Sequence, residues 1–352
     1  MILDKNELFH KNYKFDNKIK IYIGKNIDQI NIIKNILLEY ITFLDTQSKK
    51  QLLGLDFEFN KGTIAMAQLN LDKFIFDKNE IVLLFDPTDD NITDLFRQVV
   101  LHKNLWIILH GAESLDLPYL SKQLVKKSKD MVKLFQNLID TKYLCEYTIQ
   151  NKEGRCKINY FLQQQDIISK TFLNNMLQNE EKMGPIYLVH VDVSNLSEEL
   201  LLYSAYDVIF LPELIRKVQK VTPFIEIVRF TQINYMMKFN LLKEYENTKE
   251  IISSINNSYF PKLPSPHNKL IDIIPPLIEI AQNKLLNKIK LIPAFKKIIE
   301  LIEKSYLYPI FINKNNLILI NKQGKQLKEL DLPDELQPIF TDLKNNITTM
   351  LN

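Results

Sequence analysis

Three apolar, strand-length runs follow one another with only short polar breaks: "QLLGLDFEFN" at 51–60, "TIAMAQLNL" at 63–71 and "EIVLLFDP" at 80–87. The "NKG" between the first two is too short for anything but a reversal, so the three predict an antiparallel meander. A strand "IKIYIG" (19–24) and a helix with 3.6-residue apolar spacing (27–44) precede them. A helix over 92–102, a strand over 105–111 and a helix opening near "ESLDLPYL" follow. A run of strands passing into strand–helix alternation predicts an α/β fold, a mixed five-stranded sheet flanked by helices. Pro118 fits only the first turn of a helix, which puts Ser114 or Asp116 at that helix's N-terminal end. A long amphipathic helix is predicted over 196–218, opened by Ser197 with Glu198 and Glu199 beside it as a variant capping box.

Composition narrows the function classes. A chain of 352 residues with 46% hydrophobic content can bury one large core or two modest ones. No apolar run reaches the roughly 18 residues of a membrane helix, and "MILDKNELFHKNYKFD" is too polar for a secretory signal. A soluble, intracellular protein is expected. Cys145 and Cys156 cannot form a zinc site alone and are too few for a disulfide framework, which fits a reducing compartment. The seven glycines are scattered, so neither a P-loop nor a dinucleotide-binding turn can be built.

The strand at 51–60 sets two acids into an apolar run. Alternation sends Leu55, Phe57 and Phe59 to one face and Asp56 with Glu58 to the other. A wet face is the plain explanation, but carboxylates two residues apart repel unless something positive lies between them. Asp116 is either a simple helix cap or a third acid delivered from the end of the 105–111 strand. In "YSAYDVIFL", Tyr203 and Asp207 are four apart on one helical face, and the surroundings of Asp207 are apolar. A buried Asp is rare unless it is paired or bound to metal.

Asp56-x-Glu58 on a strand, Asp116 after a "HGAE" strand end, and Tyr203-x-x-x-Asp207 on a late helix together resemble the three motifs of the DEDD exonucleases, in the tyrosine-bearing, ribonuclease D-like branch. "LIDTKYL" (138–144) is similar to the Asp-Thr element that follows the second motif in those enzymes. The resemblance runs over about residues 19–220. It implies a ribonuclease H-like fold and 3′-to-5′ exonuclease activity at single-stranded 3′ ends, RNA preferred over DNA. It also implies two Mg²⁺ or Mn²⁺ ions, as all-oxygen ligation favours. By the same resemblance Asp56 bridges both ions, Glu58 and Asp207 hold the ion that activates water, Asp116 serves the second site through water, and Tyr203 orients the attacking water. The acid of the second motif usually lies five residues after the strand-end His, whereas Asp116 lies six after His110, which leaves Glu113 as an alternative.

The expected organisation is an exonuclease domain over 1–220 and a mainly helical C-terminal extension with a small β unit over 221–352. The back part of the chain is net basic and the front part slightly acidic, as suits a metal-dependent domain followed by a segment that holds a polyanion. "LFHKNYKF", the 284–304 cluster, and Tyr306, Tyr308 and Phe311 near Lys304 and Lys314 are candidates for gripping single strands. The last group reads equally well as a meander of "LYPIFI", "NLILIN" and "KQLKELDL". A DNA exonuclease, or a non-catalytic nucleic-acid-binding scaffold on the same fold, is the competing function.

Overall fold

The computed structural model describes residues 1–148, 156–220, 224–239 and 241, together with 307–313, 316–321, 326–327, 337 and 341. The chain divides into two compact units, Met1–Tyr235 and Met236–Asn352.

The first unit is an α/β fold around one mixed sheet of seven strands. Its strands are β1 (Ile2–Asp4), β2 (Lys18–Ile23), β3 (Gln51–Asn60), β4 (Thr63–Phe76), β5 (Asn79–Phe85), β6 (Leu105–Leu109) and β7 (Leu138–Asp140). They lie in the order β1-β2-β5-β4-β3-β6-β7. β4 runs antiparallel to β3 and β5, and β3, β6 and β7 are parallel. The strands β5-β4-β3-β6-β7 form the greater part of the sheet. The count differs from the five strands read from the sequence because β1 and β7 close the two edges with three residues each, too few to show alternation.

The helices of this unit are α1 (Lys5–Leu8), α2 (Ile27–Thr46), α3 (Thr93–Val100), α4 (Asp116–Tyr119), α5 (Ser128–Gln136), α6 (Thr141–Thr148), α7 (Ile158–Gln164), α8 (Lys170–Met183), α9 (Glu198–Ile209) and α10 (Leu211–Val218); α11 (Phe224–Lys238) begins in it. Leu55 and Phe57 point into the core, where Phe57 meets Phe96 of α3 edge to face at 6.2 Å. α9 and α10 cover the opposite face of β3.

Two expected helices differ in form. The helix over 196–218 is interrupted at Phe210, because Pro212 starts a second helix and cannot continue the first. Its opening follows the expected cap: Ser197 Oγ accepts from Leu200 N at 3.2 Å. The helix after "ESLDLPYL" is a single turn, α4, that widens into a π-turn over Leu120–Leu124.

The aromatic residues of "LFHKNYKF" are engaged by the fold. Phe9 is buried against Phe210 at 5.0 Å and against Phe15 at 4.8 Å. Cys145 and Cys156 are joined by a disulfide, with their Cα atoms 5.9 Å apart. Among the described residues no helix is long and apolar enough to cross a membrane.

In the second unit, β8 (Leu307–Asn313), β9 (Asn316–Asn321) and β10 (Gln326–Leu327) pair antiparallel in the order β10-β9-β8. The 284–304 basic cluster, Lys304, Tyr306 and Lys314 lie outside the described residues.

Candidate active site

β3 is the central support of the site. Asp56 pairs with Gln68 and Glu58 with Met66 across the β3–β4 ladder, so both acids emerge on the face covered by α9. α9 comes close because β3 carries Gly54 beneath it. A Cβ at that position would lie 2.7 Å from the carbonyl oxygen of Val208. Asn70, opposite Gly54 on β4, donates its amide to the carbonyls of Val208 (3.3 Å) and Ile209 (2.9 Å). These bonds satisfy carbonyls left open at the end of α9 and fix the helix one residue from Asp207. Arg216 of α10 forms an ion pair with Asp72 at the far part of β4.

This packing brings Asp56, Glu58 and Asp207 together. One carboxylate oxygen of each lies within 4.8 Å of the others, with Glu58 buried and Asp56 and Asp207 half-buried. Three acids gathered this closely disfavour ionisation. Burial raises Asp56 to about 7, and burial with the Asp56 charge raises Glu58 to about 8. Burial, then Asp56 and Glu58, push Asp207 well above the usual carboxylate range. Tyr203 donates to Asp207, and that carboxylate with burial drives its phenol far above its ordinary value. Gln68 Nε2 donates to Glu58 Oε1 at 3.1 Å, while the buried Gln68 Oε1 has no partner among the described residues.

Asp116 opens α4 and is buried. Burial, then the charges of Asp56, Asp140 and Glu58, hold it well above the usual carboxylate range, so it belongs to the same electrostatic cluster. It does not join the three-acid group that shares the 4.8 Å separation. Glu113 stands in the preceding turn and accepts from Tyr143 Oη at 3.1 Å.

That turn is shaped by Asp140, which sequence reasoning passed over. Its carboxylate, 2% exposed, accepts from the backbone N–H groups of Gly111 (2.9 Å), Ala112 (3.0 Å) and Lys142 (2.8 Å), and from the Tyr235 hydroxyl. The "LIDTKYL" stretch contained the signal, an Asp-Thr pair at a strand end, but its partners come from other elements. Thr141 Oγ1 lies 2.9 Å from His110 Nδ1 and bonds the Leu109 carbonyl at 3.1 Å. His110 Nε2 donates to the carbonyl of Cys156 at 2.9 Å, and burial lowers the imidazole pKa. His110 is therefore a half-buried, hydrogen-bonded residue beside the turn.

Comparison with known proteins gives the following. No protein-family sequence model matches the chain. An uncharacterized protein of Acanthamoeba polyphaga mimivirus is 26% identical over 259 residues, covering 64% of this chain and 50% of that protein. The chain thus matches half the length of that curated relative. Among solved structures, Escherichia coli RNase D, described as an exoribonuclease involved in structured RNA processing, is 14% identical with a TM-score of 0.39, covering 95% of this chain and 84% of that one. The catalytic core of RRP6 from Trypanosoma brucei is 14% identical at 0.38, covering 62% and 52%. Brucella melitensis NrnC bound to pGG is 14% identical at 0.37, covering 58% and 87%.

Proposed function

We propose that the chain is a metal-dependent 3′-to-5′ exonuclease that hydrolyses phosphodiester bonds at single-stranded 3′ ends, RNA preferred over DNA. The observation that carries this reading is the gathering of Asp56, Glu58 and Asp207, with an oxygen of each within 4.8 Å of the others. Such a cluster is costly to bury without cations. An all-carboxylate donor set suits Mg²⁺ or Mn²⁺, and the residues present fit those ions.

Asp56, Glu58 and Asp207 would hold the ions, two in number, with Asp116 serving the second through water. When bound, the ions supply positive charge at the attacking and leaving oxygens and lower the pKa of water. Asp207 accepts the Tyr203 hydroxyl and so fixes the direction of the phenol. Tyr203 keeps its proton at neutral pH, because its pKa is raised, and it acts by orienting the attacking water, not as a base. Asp140 holds the Gly111–Ala112 turn and thereby aims Asp116 at β3. RNA preference rests on the motif resemblance to the ribonuclease D-like branch.

The test uses single-stranded RNA and DNA oligonucleotides labelled at either end, with Mg²⁺, Mn²⁺ or chelator. A 5′-labelled RNA that shortens stepwise, with the 3′ label released first, agrees with the proposal. Binding without cleavage under any metal would identify a scaffold, and equal or faster cleavage of DNA would overturn the RNA preference.

A further inference from the structure

A cavity of about 920 Å³ opens beyond the end of β3, two residues past Glu58, where Asn60 forms part of its wall. This is at the large end of the roughly 300–1,000 Å³ of ligand pockets. Lys25, which follows β2, Lys122 on the π-turn, Lys126 beyond it and His190 all line it. Among the described residues none of the three lysines makes an ion pair. Two acids share the cavity without an ion pair to these lysines: Asp86 accepts from the backbone and hydroxyl of Thr88, and Asp192 from those of Ser194, each closing its own turn, so the lining keeps a net positive charge from its three lysines.

The walls are built. Gln123 accepts from Ile64 N at 3.1 Å and donates to the Gly62 carbonyl at 3.2 Å, which ties the π-turn to the β3–β4 hairpin. Asn60 donates to the Val191 carbonyl at 2.7 Å and accepts from Val191 N at 3.0 Å, which ties the segment before α9 to the same hairpin. Three residues before His190, Tyr187 is 82% exposed. Chain reach puts it at most about 11 Å from His190.

We propose that this cavity is a binding groove for the single strand upstream of the scissile bond, with Lys25, Lys122 and Lys126 on its phosphates and Tyr187 offering a face on which a base stacks. Unpaired ammonium groups with an exposed aromatic ring match the way single strands are held without sequence preference. The inference rests on the exonuclease reading and adds where the strand runs: over the β3–β4 hairpin, within the first unit.

The test measures binding of fluorescent oligonucleotides of two to twelve nucleotides, in chelator, by wild type, by the K25A/K122A/K126A triple variant, by its three-arginine counterpart and by Tyr187→Ala. Each single-strand phosphate contact contributes about 0.7 to the slope of log K against log salt, so the triple variant should lower that slope by about 2 and weaken twelve-nucleotide binding at least about 10-fold. The loss should grow with length, arginine should restore the affinity, and Tyr187→Ala should weaken binding several-fold at unchanged salt slope. An unchanged slope and affinity in the triple variant overturns the groove, even if the wild type cleaves. If the wild type never cleaves but the triple variant loses binding, the exonuclease reading fails and the groove stands.

Discussion

Gly54→Ala tests how the sheet places Asp207. The added methyl would meet the Val208 carbonyl oxygen at 2.7 Å, Asn70 Cβ at 3.3 Å and Leu211 Cβ at 3.5 Å. The Val208 carbonyl cannot yield freely, since Asn70 bonds it and its neighbour. Relief to an ordinary contact of 3.4 Å requires α9 to move outward by about 0.7 Å, carrying Asp207 away from Asp56. Overpacking of this kind costs ~1–3 kcal/mol. The smaller entropy of the unfolded alanine chain offsets about 0.4–1 kcal/mol of it. The net loss, about 1–2 kcal/mol, corresponds to a fall in Tm of roughly 2–8 °C for a unit of this size. A displacement approaching 1 Å at reacting groups costs on the order of 10²-fold in rate. Thermal melts and single-turnover cleavage at saturating Mn²⁺ measure both. Wild-type Tm and wild-type turnover in Gly54→Ala would refute the close-approach argument.

Further outcomes follow from the same geometry. Because Asp56 and Glu58 bind protons in the metal-free folded state up to about pH 7 and 8, while unfolded carboxylates release theirs near pH 4, the folded state holds more protons across that window. Metal-free stability should therefore fall as pH rises from about 4 to 8 and then level off, and Mn²⁺ should flatten the slope; a metal-free Tm that climbs over that window contradicts the cluster's electrostatics. Asp116→Ala should lower turnover by at least about 10²-fold with strand binding retained, and Glu113→Ala should leave most activity; the reverse result would move the second-motif acid to the turn. Asp140→Asn should weaken the hold on Gly111 and Ala112, cost about 1–3 kcal/mol in a denaturant melt and slow cleavage without changing strand affinity. Full activity and stability would remove Asp140 from any positioning role.

Sequence showed the site where local periodicity carries the information. Asp56 and Glu58 share a face because a strand alternates, and Tyr203 and Asp207 share one because residues four apart lie about one 3.6-residue helical turn from each other. The three-strand meander was legible from its short polar turns. What local pattern cannot express is how distant segments meet. Asp140 acts through backbone groups of residues 111 and 112, and Gly54 acts through a helix more than 150 residues later. The break between α9 and α10 was hidden because apolar spacing continues through Phe210, although Pro212 marked it. The disulfide was hidden because Cys145 and Cys156 carry no spacing signal, and β1 and β7 because three residues show no period.

The most direct measurement of the central claim is calorimetric titration of Mn²⁺ into the wild-type protein and into Asp56→Asn, with oligonucleotide cleavage followed on the same samples. Two ions should bind per chain, with proton release, since raised carboxylates must lose their protons to become ligands. Asp56→Asn should bind fewer ions more weakly and cleave nothing. Undetectable Mn²⁺ binding at millimolar concentration, or wild-type cleavage that persists in chelator, would contradict a metal-dependent site on Asp56, Glu58 and Asp207.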